Sequence, residues 1–213
     1  MSDQTLTVAI TMRRSDATDY VEPRDAISHD WIAFLEAHRI RPVLIPTTVR
    51  DPVGFVVAIG AQALILSNGE NVDGGPRDQT EAALLTHALS SALPVIGVCR
   101  GLQFVQTYFG GPLRSGLRAS GHVATVHEIA LDGLLRDQTG LSTCEVNSYH
   151  DQGVHLSELA APLHPLATCG EVVEAAGHDA SPLLAVQWHP ERKGSCAALD
   201  QYIFGPWLRE RVQ

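Results

Sequence analysis

The chain has 213 residues, of which 45% are hydrophobic and 18% are charged, and this composition supports a packed core rather than a disordered chain. Its net charge of −9 argues against binding to DNA or RNA, which requires a basic face that neutralises phosphates. No apolar run in the sequence reaches the roughly 18 residues that a membrane-spanning helix needs.

The first half of the chain alternates short apolar runs with segments of helical spacing. In chain order the pattern predicts strands over 7–11, 42–45, 63–66 and 95–98, and helices over 28–39, 52–59, 78–91 and 101–109, with Ser28 as the cap of the first helix. Such alternation predicts a parallel sheet covered by helices on both faces. Functional groups then belong at the carboxyl ends of the strands.

The second half has a different pattern. Runs over 122–130, 171–176 and 183–188 favour β-structure, and a helix follows from about 195 to 211. We therefore predict an α/β fold with a mostly parallel central sheet flanked by helices and an antiparallel β-rich addition in the C-terminal half. The length favours a single domain over residues 1–213.

Cysteine usage and the N-terminus indicate the compartment. The chain begins Met-Ser-Asp-Gln-Thr, without the basic-then-apolar layout of a signal peptide. Its four cysteines, at positions 99, 144, 169 and 196, include no CxxC pair. We expect a soluble cytoplasmic protein with free thiols, no metal site and no cofactor.

The segment Pro94–Gln103 contains the most informative motif. A buried strand leads to Cys99, which has glycines two places on either side, at Gly97 and Gly101, and a helix follows. This is the G-x-C-x-G form of a nucleophile elbow, whose tight turn requires small neighbours. The positive end of the following helix favours a thiolate, and the Arg100 amide would point at a developing oxyanion. The alternative is that Cys99 is a small buried hydrophobic residue.

A second motif supplies a candidate base. His189 and Glu191 flank Pro190, which blocks helix formation and favours an extended backbone, so that both side chains project to the same face. Glu191 can then hold one ring nitrogen of His189 while the other faces the thiolate of Cys99. This is the logic of a nucleophile–base–acid triad.

Together, Gly-Val-Cys-Arg-Gly-Leu-Gln at 97–103 and Gln-Trp-His-Pro-Glu at 187–191 resemble the motifs of the class I glutamine amidotransferases, and the similarity covers most of the chain. The resemblance implies the flavodoxin-like fold of that family and an oxyanion hole formed by the amides of Gly69 and Arg100. Asn68 stands where the family has the first of two glycines. Since asparagine tolerates left-handed backbone angles, we expect this change to be mild.

Within that superfamily, Val146–Gly153 is similar to the Val-Asn-Ser-x-His-x-Gln stretch of the γ-glutamyl-γ-aminobutyrate hydrolases, or peptidase C26 group. The resemblance implies that Gln103, Ser148, Tyr149 and His150 bind the amino and carboxylate ends of a glutamyl group. The alternative for residues 148–150 is an ordinary polar turn.

The segment Tyr20–Asp25, followed by Trp31, looks more like a shorter subgroup that includes hydrolases of γ-glutamyl-CDP-amidate. The arginines at 13, 14, 24, 77, 114 and 118 could meet the phosphate of such a substrate, or they could simply be solvated.

We therefore expect a Cys-His-Glu hydrolase that cleaves the γ-glutamyl amide bond of a small conjugate through a glutamyl thioester. One alternative is a glutaminase subunit that supplies ammonia to a separate synthase, which would be its protein partner. Another is a non-catalytic binding protein on the same fold. We expect no nucleic-acid or membrane partner. A homodimer is compatible with the sequence, which does not determine the oligomeric state.

Overall fold

The computed structural model describes residues 4–212. The strands are β1 (Leu6–Thr11), β2 (Arg13–Asp16), β3 (Pro23–Ala26), β4 (Ile40–Ile45), β5 (Ala63–Leu66), β6 (Val95–Val98), β7 (Arg114–Ser115), β8 (Val123–Leu131), β9 (Thr143–Tyr149), β10 (Gln152–His155), β11 (Leu163–Cys169), β12 (Val172–His178) and β13 (Leu183–Val186). The α-helices are α1 (His29–Ala37), α2 (Pro52–Ala58), α3 (Pro76–Ser91), α4 (Arg100–Tyr108), α5 (Gly133–Thr139) and α6 (Ala197–Tyr202).

One large sheet organises these elements. Its order is β4-β1-β5-β6-β13-β12-β11-β8-β9, and β10 pairs with both β12 and β7. The strands from β4 to β13 run parallel, whereas the pairs from β13–β12 to β8–β9 are antiparallel. The predicted fold class, a mostly parallel central sheet with an antiparallel addition, is therefore confirmed.

Side chains of the parallel strands alternate between two apolar cores, one on each face of the sheet. In β1, Val8 and Ile10 pack with Trp31 of α1, whereas Ala9 faces the core that contains Leu84 of α3. All of these side chains are buried. Burial on both faces explains why these strands are continuous apolar runs.

The structure adds elements that the sequence pattern did not predict. β2 and β3 form a separate hairpin, and α5, β9 and β11 lie in the second half. Ser28 occupies the predicted N-cap position of α1, but its hydroxyl makes no capping hydrogen bond. This helix ends where Arg39 adopts a φ of +56°, which is incompatible with helix continuation.

The C-terminal helix begins at Ala197 and changes to π-helical geometry over Ile203–Trp207. Pro206 lies inside this segment, and because proline has no N–H group it interrupts the regular hydrogen-bond pattern. Within residues 4–212, none of the helices has both the length and the apolar character needed to cross a bilayer.

Candidate active site

Three neighbouring strands bring the predicted site residues to the same edge of the sheet. β5, β6 and β13 are adjacent and parallel, so their carboxyl ends meet. Gly69 lies in the loop after β5, Cys99 directly follows β6, and His189 follows β13. This is the edge at which open α/β sheets bind ligands.

Cys99 sits in a strained turn between β6 and α4. Its φ is +53° and its ψ is −99°, and its amide donates a 2.7 Å hydrogen bond to the Val186 carbonyl. A Cβ at Gly101 would lie 2.2 Å from the Leu66 carbonyl oxygen, and one at Gly97 would lie 2.9 Å from the Ala185 Cβ. The two glycines therefore permit close packing of α4 on the sheet, as the elbow pattern requires.

The His189 ring is hydrogen bonded to the buried carboxylate of Glu191. Its Nδ1 lies 2.9 Å from Glu191 Oε1, and its pKa reflects an interaction with Cys99. Burial alone would lower the pKa of His189, but the charge on Cys99 and the hydrogen bonds to Cys99 and Glu191 raise it to about 9. The raised pKa favours a protonated His189 ring beside Cys99.

Asn147, at the edge of the antiparallel region, clamps the backbone of His189. Its Oδ1 accepts from the His189 amide at 2.9 Å, and its Nδ2 donates to the His189 carbonyl at 2.8 Å and the Lys193 carbonyl at 3.1 Å. Sequence reasoning did not assign this residue a role, although it lies in the Val146–Gly153 stretch. Asn147 fixes the loop that carries the ring, which also meets Tyr149 edge-on at 5.6 Å between ring centroids.

The loop after β5 differs from the sequence-based expectation at Asn68. Gly69 has a φ of +153°, whereas Asn68 has no positive φ. The loop therefore does not place Asn68 in the left-handed region that the sequence comparison considered. Instead the Asn68 side chain accepts a 2.8 Å hydrogen bond from the Trp31 indole. A Cβ at Gly69 would lie 2.4 Å from Arg77 Nη1, so the loop requires glycine there.

A buried ion network lies beneath this loop and the elbow. The Arg77 guanidinium binds Glu81 at 2.9 Å and donates to the Ser67 carbonyl at 2.7 Å. Arg100 forms ion pairs with Glu81 and Asp78. Because Glu81 joins both arginines, it couples the loop after β5 to the start of α4.

A cavity of about 340 Å³ is lined in part by Cys99, and a separate cavity of about 390 Å³ lies beside Thr47 and Pro76. The former is lined by Gly69, Asn71, Cys99, Gln103, Ser115, Tyr149, His150, Asp151 and Gln152. Three of the predicted substrate-binding residues, Gln103, Tyr149 and His150, are therefore in its wall. The predicted fourth, Ser148, is fully buried outside it and donates a 2.7 Å hydrogen bond to the His122 carbonyl.

The arginines considered as phosphate ligands lie in different surroundings. The Arg77 side chain is only 2% exposed and is committed to the ion network, so it cannot reach a substrate. Arg114 pairs with Glu158, and Arg24 pairs with Glu22. Arg13 remains beside the site, because its Cβ is 2.8 Å from the position that a Cβ at Gly69 would take.

Metal-ligating side chains also meet near this cavity. The described residues include two overlapping groups of suitable donors, His122 with His150 and Glu174, and His122 with His127 and Cys169.

Comparison with known proteins places the chain in a family. The sequence pattern of Peptidase C26 matches residues 7–191. The glutamine-hydrolyzing GMP synthase subunit of Methanospirillum hungatei is 34% identical over 70% of this chain and 72% of its own length. A glutamine amidotransferase-like protein of Lactococcus lactis is 32% identical over 60% of this chain. The chain spans between 49% and 62% of the length of three matched proteins, one of which is the Lactococcus lactis protein.

A solved structure agrees with the fold. A Thermoplasma acidophilum protein described as a GMP synthase subunit superposes with a TM-score of 0.74 at 16% identity, over 99% of this chain and 96% of that protein. The family match over residues 7–191 includes both motifs, at 97–103 and 187–191. The chain therefore belongs to the Peptidase C26 family, within the class I glutamine amidotransferase-like group.

Proposed function

We propose that this protein is a cysteine-dependent hydrolase of carbon–nitrogen amide bonds in which Cys99 is the nucleophile, His189 the acid and base, and Glu191 the group that orients His189. The observation that carries the proposal is the 2.9 Å hydrogen bond between His189 and Glu191, at the same edge of the sheet at which Cys99 lines a cavity. The effect of Cys99 on the pKa of His189 supports it. Membership of the Peptidase C26 family supports the same class of reaction.

The reaction follows from these positions. The Cys99 thiolate attacks the amide carbon, a carbon–sulfur bond forms, and the carbon–nitrogen bond breaks as protonated His189 gives its proton to the leaving nitrogen. Water then attacks the thioester while neutral His189 accepts a proton from it. The acid leaves, and the thiolate is restored. Glu191 stabilises the positive ring through both steps.

We assign the oxyanion hole to the amides of Gly69 and Arg100. Gly69 lines the cavity beside Cys99, and Arg100 is the first residue of α4, where amide groups have no partner within the helix. Within residues 4–212, neither amide donates a hydrogen bond to another protein group. Both are therefore available to an oxygen that gains negative charge.

We propose a γ-glutamyl group as the acyl part of the substrate. Gln103, Tyr149 and His150 line the cavity and offer amide, hydroxyl and imidazole groups to its charged ends. A volume of about 340 Å³ suits one small substrate. Ser148 acts indirectly in this arrangement, because its hydroxyl supports the backbone at His122. The amine side is proposed to be γ-aminobutyrate or a nucleotide amidate, and Arg13 beside Gly69 favours an anionic group there.

A second candidate function is that of a glutaminase subunit that passes ammonia to a separate synthase. The observation that favours it is the relative named as a glutamine-hydrolyzing GMP synthase subunit, of which 72% of the length aligns. Under this reading glutamine is the substrate and a synthase chain is the partner.

Steady-state hydrolysis of three substrates separates these readings: γ-glutamyl-γ-aminobutyrate, a γ-glutamyl nucleotide amidate, and glutamine. Efficient cleavage of a bulky conjugate by the lone chain supports the hydrolase. Glutamine hydrolysis that is slow alone and rises sharply with a synthase supports the second function. In either case Cys99→Ala should abolish turnover, whereas Cys196→Ala, which changes a half-buried thiol outside the cavity lining, should retain it.

A non-catalytic role is tested by alkylation. Iodoacetamide near neutral pH should label Cys99 before Cys144 or Cys169, because burial raises the pKa of both of those thiols. Equal or slower labelling of Cys99 would favour a binding protein that retains the fold.

A further inference from the structure

A second cluster of chemical groups lies next to the cavity, around the carboxylate of Glu174 on β12. His122 Nδ1 lies 3.3 Å from Glu174 Oε1, and His127 Nε2 and His150 Nε2 each lie 3.5 Å from the same oxygen. The Glu174 side chain is fully buried, and those of His122 and His150 are 3% and 1% exposed. Four polar side chains thus converge in the interior.

These atoms are close together, but none of them takes part in a hydrogen bond of good geometry within the described residues. The three imidazole nitrogens and both carboxylate oxygens make no hydrogen bond within the described part of the chain. A buried polar atom without a partner is costly, and a cluster of them indicates a missing ion or ligand.

The orientation of His150 points to a cation rather than to a simple hydrogen bond. Its Nδ1 lies 3.0 Å from the Gln152 carbonyl oxygen and therefore carries a proton that it donates there. In the neutral ring, Nε2 then presents a lone pair to the carboxylate oxygen of Glu174, which is repulsive. A cation between the two atoms removes the repulsion, and a histidine that ligates a metal commonly donates its other N–H to a backbone carbonyl in this way.

The spacing also suits a metal ion. Bonds of about 2.0–2.1 Å in tetrahedral geometry place donor atoms about 3.3–3.4 Å apart. The separations of 3.3 and 3.5 Å around Glu174 Oε1 are close to this value. The donor atoms of His122, His150 and Glu174 all lie within 4.8 Å of one another.

We propose that His122 Nδ1, His150 Nε2 and Glu174 Oε1 bind a divalent transition-metal ion of the zinc type, with a fourth position open to water. Imidazole and carboxylate are ligands that this class of ion prefers. The sequence-based expectation of no metal rested on the cysteines. These donors come from β12 and from the residues next to β8 and β9, which only the fold brings together. The ion holds His150 in the cavity wall, and the proposal does not depend on the hydrolase assignment.

Cys169 is a weaker candidate for the same ion. It forms the overlapping group with His122 and His127, which does not include the fully buried carboxylate of Glu174.

The test uses the full chain, stripped with a chelator, reloaded with Zn²⁺, desalted, and analysed for metal content and unfolding temperature. We expect a single retained zinc ion per chain and a rise in unfolding temperature on loading, because the ion binds the folded state. Glu174→Gln and His122→Gln should each weaken zinc binding by at least about tenfold. His164→Gln, which alters a solvent-exposed histidine–aspartate pair, should bind like the wild type.

Two further measurements distinguish the proposed site from a metal bound at a cysteine. Cys99→Ser must retain the zinc ion, because loss of metal with this thiol would place the ion at the nucleophile and overturn the proposal. Cobalt-loaded wild-type protein should show the visible bands of four-coordinate Co²⁺ without a thiolate charge-transfer band. The proposal is also overturned by absence of stoichiometric metal in the wild type, by a thiolate band, or by wild-type zinc affinity in a folded Glu174→Gln or His122→Gln variant.

Discussion

His189 Nδ1 lies 2.9 Å from Glu191 Oε1, and this pair is buried at the end of β13 although Pro190 separates the two residues. The contact fixes which ring nitrogen is free. Because Nδ1 is held by Glu191, Nε2 is the nitrogen that the proposed mechanism uses for proton transfer. The same carboxylate oxygen lies 3.4 Å from the Arg192 guanidinium, so that a negative charge at Glu191 has two partners.

Glu191→Gln should lower kcat by about 10²- to 10⁴-fold with little change in KM, because the amide no longer stabilises a protonated ring during proton transfer. Steady-state kinetics on the best substrate of the panel measures this effect. Glu210→Gln, at an exposed surface carboxylate, provides the control and should leave kcat unchanged. Equal kcat in wild type and Glu191→Gln would remove Glu191 from the mechanism.

The raised pKa of His189 predicts a pH dependence. Its value of about 9 depends on Cys99, so Cys99→Ala should bring it down towards its ordinary value of 6.5, as followed by NMR of the imidazole. Activity of the wild type should fall above about pH 9, where the ring loses the proton that the leaving nitrogen needs. An unchanged pKa in Cys99→Ala would show that the ring and the sulfur do not interact.

The same shift links His189 to stability. Because the folded-state pKa lies above the unfolded one, protonated His189 stabilises the fold fully below about pH 6.5, and this contribution is lost as the pH rises through about 9. It amounts to no more than about 3 kcal/mol. Denaturation of His189→Gln across this range should show a smaller loss of stability with pH than the wild type. His164→Gln should follow the wild type, and parallel curves for His189→Gln and the wild type would contradict the linkage.

Gly101→Ala should destabilise the fold by about 1–3 kcal/mol or more and reduce turnover, because its Cβ would lie 2.2 Å from the Leu66 carbonyl oxygen. The methyl group has to push α4, and Cys99 with it, away from the sheet. Gly205→Ala is the matched control, since no atom lies within 4 Å of its added Cβ. Chemical denaturation of both variants measures the difference, and equal stability would mean that α4 can shift without cost.

Glu81→Gln should destabilise the fold by about 3–5 kcal/mol, because it leaves the charges of Arg77 and Arg100 only partly compensated in the interior. Turnover should fall as well, since Glu81 connects the loop after β5 to the elbow helix. Glu22→Gln disrupts an exposed pair with Arg24 and should change stability by less than about 1 kcal/mol. Urea denaturation compares the two, and a small effect at Glu81 would indicate that the network is not needed for folding.

Much of this architecture is predictable because it depends on local patterns. β5 and β6 were predicted with their observed bounds, since their apolar runs are enclosed by turn residues. The turn at Cys99 was predicted from Gly97 and Gly101, because few other residues allow a helix to pack so closely behind a strand. Family membership likewise follows from short motifs whose spacing is fixed by the turn they form.

Other features depend on contacts between residues far apart in the chain, which no local pattern records. Asn147 holds His189 through two hydrogen bonds that exist only because β9 returns to the end of β13. The hairpin β2–β3 was not predicted, because Arg13–Asp16 is a polar, mostly charged segment without alternating apolar residues. Ser148 belongs to a motif that pointed to substrate, yet in the fold its hydroxyl faces the His122 backbone.

The most direct test of the central proposal is mass spectrometry of the protein quenched during turnover of a γ-glutamyl conjugate, followed by peptide mapping. We expect a glutamyl adduct on the peptide that contains Cys99, sensitive to hydroxylamine as a thioester is, and absent from Cys99→Ala. Rapid turnover by Cys99→Ala, or a stable adduct on another residue of the active wild type, would contradict the assignment of Cys99 as the nucleophile.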